Sequence, residues 1–245
     1  MEFAAIAVLV NYSIYIAPAL LFFALWFLLT PANAAGLRIA ILLAGFVLMR
    51  DAMTPLGIWA PSATMQIAFH QDPLVLTGLG LASLIIGFGL IKMLPDLAAS
   101  LNSFRNGPAM GTMVGFVAGA AVALPLLLLN GLNVDHFAQV PWMLGMIILA
   151  YGGNALEEVL FRGFLQGYLE TLTSPLRAAL TSGVAFAACH SFLAFTVTQI
   201  GWPILAFTLV EGVICALVRM RYGLIPAILT HGTAILLISV PMGTT

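Results

Sequence analysis

Eight apolar stretches, almost free of charge, make up this chain, and that property restricts what it can fold into. They cover roughly residues 4–29, 37–52, 74–94, 110–130, 142–168, 176–195, 202–219 and 223–240. A backbone surrounded by lipid must satisfy its own hydrogen bonds, so stretches of about 20 apolar residues become helices. The runs are continuous and do not alternate, which argues against a transmembrane β-barrel. Composition agrees: 62% of residues are hydrophobic and 7% charged, against about 25% charged in soluble domains. The expected fold is all-α, a polytopic membrane protein of about eight transmembrane helices, with residues 1–245 as a single integral-membrane domain.

The second stretch is the weakest, ending at Arg50-Asp51. The segment after it, 53–69, contains Pro55 and Pro61 and suits a re-entrant or interfacial piece. Gly111, Gly115 and Gly119 form a tandem GxxxG in the fourth stretch, a pattern for close helix packing. Ser174-Pro175 reads as an N-cap and first-turn proline, and Pro226 as a first-turn proline of the last stretch. No Lys or Arg precedes Arg38, so the basic region of a signal peptide is missing and the first helix is expected to be retained. Cys189 and Cys215 read as small packing residues and not as a disulfide. The net charge of −1 suggests no nucleic-acid partner.

The eight basic residues report orientation. With eight spans, Arg38, Lys92, Arg105, Arg177, Arg219 and Arg221 fall on one side and Arg50 alone on the other, while Arg162 lies within the membrane. Positive-inside bias puts the six in the cytoplasm and both termini outside. The expected location is the bacterial cytoplasmic membrane.

Fifteen uncharged residues, Trp142 to Leu156, lead directly into Glu157 and Glu158. An isolated charge at the centre of a membrane helix costs about 2.5–3.5 kcal/mol on insertion scales. Glu158 and Arg162, four residues apart, share a helix face and offset that cost by pairing. Glu157 points about 100° away and faces something else. His190 shares a face with Phe186 in the sixth stretch. Cys189 diverges from His190 by the same angle and is discounted as its partner. His231 sits in the eighth stretch at a comparable depth, and Glu211 lies at about that depth on the neighbouring helix. A Glu211–His231 hydrogen bond fixing the imidazole tautomer and a protonated Glu211 bonded to a backbone carbonyl are equally open. His70, Asp72, Asp135 and His136 fall in loops on the non-cytoplasmic side and read as solvated. Intramembrane ionisable residues mark functional sites by default.

Glu157-Glu158-x-x-x-Arg162, Phe186-x-x-x-His190, and a helix opening Gly-x-x-Pro-Ala that carries His231 resemble, in that order, the three motifs of the CAAX-protease and bacteriocin-processing family of intramembrane glutamic endopeptidases. The resemblance covers roughly residues 150 to 235. It implies an eight-helix fold with a polar cavity open towards one membrane face. It implies that Glu157 activates a water, that His190 holds or orients it, and that Glu158 and Arg162 support them. The family's third motif usually reads HxxxN, its Asn helping to stabilise the oxyanion, and here position 235 is Ile. Losing one such donor costs about 2.7–4 kcal/mol of transition-state stabilisation. His231 itself, Asn154 one turn before Glu157, or a protonated Glu211 are the available replacements.

The expected function is hydrolysis of a peptide bond near the C-terminus or membrane boundary of a lipid-anchored or membrane-inserted protein, with no cofactor. Its partners are that protein or peptide substrate and the lipid bilayer. A prenylated tail, a bacteriocin leader and a C-terminal sorting helix all fit. Two rivals stand beside it. One is a zinc peptidase using glutamate and the two histidines, although no HExxH is present. The other is a non-catalytic scaffold or chaperone on the same fold, which Ile235 permits.

Overall fold

A computed structural model describes residues 2–62, 66–131 and 139–242. Eight long helices account for most of them: α1 Glu2–Leu29, α2 Ala35–Met53, α3 Pro73–Met93, α4 Pro108–Asn130, α5 Val140–Leu172, α6 Pro175–Val197, α7 Trp202–Tyr222 and α8 Leu224–Ile238. The chain is an integral, multi-pass α-helical membrane protein, and six of these helices are long and apolar enough to cross a bilayer. The other two are α2, which carries Arg38, Arg50 and Asp51, and α8, which has 15 residues.

Local chemistry sets the helix ends. Asp72 accepts a hydrogen bond from the backbone of Leu74, and Pro73 opens α3. Asp72 and His70 are half-buried and bonded rather than solvated: His70 Nδ1 accepts from the backbone of Asp72, and its carbonyl accepts from Trp142 Nε1 at 3.1 Å. Asp135 and His136 lie outside the described residues. Ser174 caps α6 as its sequence suggests. Gly223 ends α7 at φ +108°, and a side chain there would meet the carbonyl oxygens of Asn102 and Ser103. Both cysteines are free thiols.

The described residues of the segment after α2 include two short strands. Trp59–Pro61 (β1) pairs antiparallel with Ile67–Phe69 (β2), and Ser239–Pro241 (β3), leaving α8, adds in parallel to β2. This small sheet closes one end of the bundle. At the opposite end Glu170 pairs with Arg219 and with Arg105, and Arg219 also donates to the carbonyl of Ser100.

Glycines let the central helices touch backbone to backbone. A Cβ at Gly115 would come within 2.8 Å of the Pro226 carbonyl, and one at Gly119 would collide with the carbonyl of Thr230. The tandem GxxxG therefore seats α8 against α4. Gly145 and Gly152 do the same for α5 against α3.

Candidate active site

α5 changes pitch where its charges sit. It is α-helical to Glu158, π-helical over Val159–Leu165, and α-helical again from Gln166. Single π turns recur at functional sites because they re-aim side chains. Ser182 of α6 donates to the Phe161 carbonyl within this turn at 2.9 Å.

Glu158 and Arg162 form the pair expected from their spacing, 3.1 Å apart and both fully buried. Arg162 also donates to the Gly212 carbonyl of α7 at 3.0 Å, and its guanidinium lies over the Phe186 ring. Phe186 further packs against His190 and His231, its centroid 4.6 and 5.6 Å from theirs. The ring thus touches the Arg162 guanidinium and both imidazoles.

His231 lies between three carboxylates. Its Nδ1 is 2.9 Å from Glu158 Oε1, while its Nε2 is 3.6 Å from Glu157 and 3.7 Å from Glu211. The sequence left the Glu211–His231 hydrogen bond open, and the structure does not form it. Glu158 holds the ring through Nδ1, and Glu211 stands beyond hydrogen-bond reach of Nε2. Neither Oε1 of Glu211 nor Oε1 of Glu157 has a hydrogen-bond partner among the described residues, and the same holds for Nδ2 of Asn154.

His190 has one tautomer that satisfies its neighbours. Nδ1 is 2.8 Å from the Phe186 carbonyl, which only accepts, and Nε2 is 3.1 Å from Nη1 of Arg50, which only donates. The proton therefore sits on Nδ1, and the Nε2 lone pair faces the guanidinium.

Arg50 corrects the sequence reading, which put it at the far-side end of the second stretch, away from the glutamates. Arg50 and Asp51 are both buried in α2 beside the glutamates. Arg50 Nε donates to Asp51 at 3.0 Å, Nη2 donates to the Cys189 carbonyl at 2.8 Å, and Nη1 is 3.7 Å from Glu157 Oε1. Sequence reasoning missed it because α2 shares no motif with α5 or α6. The available signal was a charged pair inside an otherwise apolar helix, the same signal that exposed Glu157 and Glu158.

These groups form the inner end of a cavity of about 330 Å³. Arg50, Asn154, Glu157, His190, Glu211 and His231 supply its polar end. The remainder is mostly apolar and runs to the small sheet, where Trp59, Pro61, Ile67 and Phe69 line it. None of the basic residues of the opposite end reaches it. Ile235 lines it too, one turn from His231, and offers no donor.

A zinc set of glutamate and both histidines does not converge here, since His190 has both ring nitrogens engaged. Among the described residues the three potential ligands that do converge are Glu158, Cys215 and His231, with one atom of each within 4.8 Å of the others. Glu158 already faces Arg162 there, a cation that opposes a second one.

Residues 138–237 match the sequence model of the type II CAAX prenyl endopeptidase Rce1-like family. The match includes Glu157, Glu158, Arg162, Phe186, His190, Glu211 and His231, whereas α1 to α4, with Arg50, lie before it. No curated protein and no solved structure matches the chain.

Proposed function

With residues 138–237 forming an Rce1-like domain, that of a membrane endopeptidase, we propose that the chain is an intramembrane glutamate-dependent endopeptidase acting through Glu157. The observation that carries this reading is the position of Glu157 at the inner end of an apolar cavity, with one carboxylate oxygen free of any hydrogen-bond partner among the described residues. That oxygen takes a proton from a water molecule. The hydroxide oxygen adds to the scissile carbonyl carbon, and the carbonyl electron pair moves onto its oxygen. Collapse of this intermediate breaks the C–N bond, and the proton held by Glu157 passes to the leaving nitrogen. Glu158 and Arg162 hold His231 in place, and His190 fixes the groups around Glu157.

All eight helices cross the bilayer in this reading, with both termini outside. Burial of Arg50 removes the one exception to the distribution of basic residues, since the remaining six connect helices at one end. The cavity runs to the other end. A substrate bond reached there belongs to a membrane-inserted or lipid-anchored segment near the non-cytoplasmic face, which favours a C-terminal membrane segment over a tail anchored on the cytoplasmic side.

Comparing the termini of membrane proteins between cells carrying wild type and Glu157→Gln tests the function. A protein whose C-terminal segment is lost only with wild type is the expected result. Identical termini at matched protein levels would sink it and favour the scaffold.

A further inference from the structure

The cavity contains a cation that the matched region does not supply. Its hydrogen bonds account for four parts of its donor fork: Nε on Asp51, Nη2 on the Cys189 carbonyl and beside Asp51, and one Nη1 proton on His190. A guanidinium has five N–H donors. The fifth, on Nη1, has no hydrogen-bond acceptor among the described residues, and the carboxylate facing that nitrogen is Glu157 at 3.7 Å.

We propose that Arg50 is the oxyanion donor of this site, taking the role left vacant by Ile235; the inference rests on the endopeptidase reading. As hydroxide forms at Glu157 and adds to the scissile carbon, negative charge develops on the carbonyl oxygen. A donor serves best there when it is already fixed and needs no reorganisation. Arg50 meets that condition. Asp51, the Cys189 carbonyl and His190 hold its plane on three sides, and the free Nη1 proton is left in the space where water attacks. Charge-assisted hydrogen bonds are roughly twice as strong as neutral ones, which favours Arg50 over the neutral amide of Asn154. His190 then acts as a positioning residue, its Nε2 holding the guanidinium. The membrane cost of a buried Arg50-Asp51 pair is explained by the charge it meets during reaction.

The test uses the purified protein in detergent and, as probe, the membrane protein whose terminus changes in the comparison above. Arg50→Gln alone strands the Asp51 carboxylate, so the informative variant is the double Arg50→Gln/Asp51→Asn. Its kcat is expected to fall on the order of 10²- to 10³-fold, with KM within about threefold of wild type. Adding Ile235→Asn to that variant is expected to restore kcat by about tenfold or more, because an amide one turn from His231 supplies the missing donor. Arg50→Lys, which keeps the charge and loses the fork, is expected to fold normally with an intermediate kcat. The proposal is overturned by a double variant with near wild-type kcat, by no recovery with Ile235→Asn, or by Asn154→Ala alone reproducing the loss while the double variant does not. If wild type cleaves nothing, it is the endopeptidase reading that fails.

Discussion

His231 Nδ1 lies 2.9 Å from Glu158 Oε1, across 73 residues of chain. The same oxygen is 3.1 Å from Arg162 Nη1. One carboxylate oxygen thus joins α8 to both turns of α5 that carry charge. Under the proposed function Glu158 has a structural task, and the chemical one falls to Glu157, whose Oε1 has no hydrogen-bond partner among the described residues.

That division predicts different phenotypes for the two glutamates. Glu157→Gln should abolish cleavage with near-normal folded yield. Glu158→Gln and Arg162→Ala should also lower yield, because breaking a fully buried pair costs about 3–5 kcal/mol. Size-exclusion profiles in detergent, beside a cleavage assay in membranes, measure both. Equal yields for all three variants would reverse the assignment.

His231→Ala should abolish cleavage at matched protein level, since the ring lies against both glutamates of the pair. Ile235→Asn in an otherwise wild-type chain should leave cleavage unchanged or raise it modestly, because in the proposal above Arg50 already supplies a donor. A His231→Ala protein that cleaves like wild type would remove the third motif from the mechanism.

Gly119→Ala places a methyl group against the Thr230 carbonyl and Thr233. Overpacking of this kind costs about 1–3 kcal/mol, so folded yield and thermal stability should drop. Gly89→Ala, in α3 with open space around the added carbon, serves as the control and should be neutral or slightly stabilising. Thermal unfolding followed in detergent compares them.

Reporter fusions after Thr245 and near Thr173 should report opposite sides of the membrane. Both on the same side would undo the eight-crossing topology and the inference about which face the cavity approaches.

The helix positions were readable from the sequence because apolar runs and their Pro, Ser and Gly boundaries are local. The 74–94 stretch became Pro73–Met93, and the 202–219 stretch became Trp202–Tyr222. The Glu158–Arg162 pair was readable for the same reason, since four residues on one helix define a distance. Arg50 was not readable. Its bond to His190 joins residues 140 apart, and only the packing of α2 beside α5 and α6 creates it. The partner of His231 was left open for the same reason: its bond to Glu158 joins residues 73 apart. The π turn at Val159–Leu165 has no proline or other mark in the sequence to announce it.

The glycine seam of α4 has a consequence for how this protein can be altered. α4 has no ionisable residue, yet its three glycines gauge how closely α8, and with it His231, approaches the glutamates. Residues 138–237 moved onto a different set of preceding helices would bring every motif side chain and lose the spacer that calibrates them.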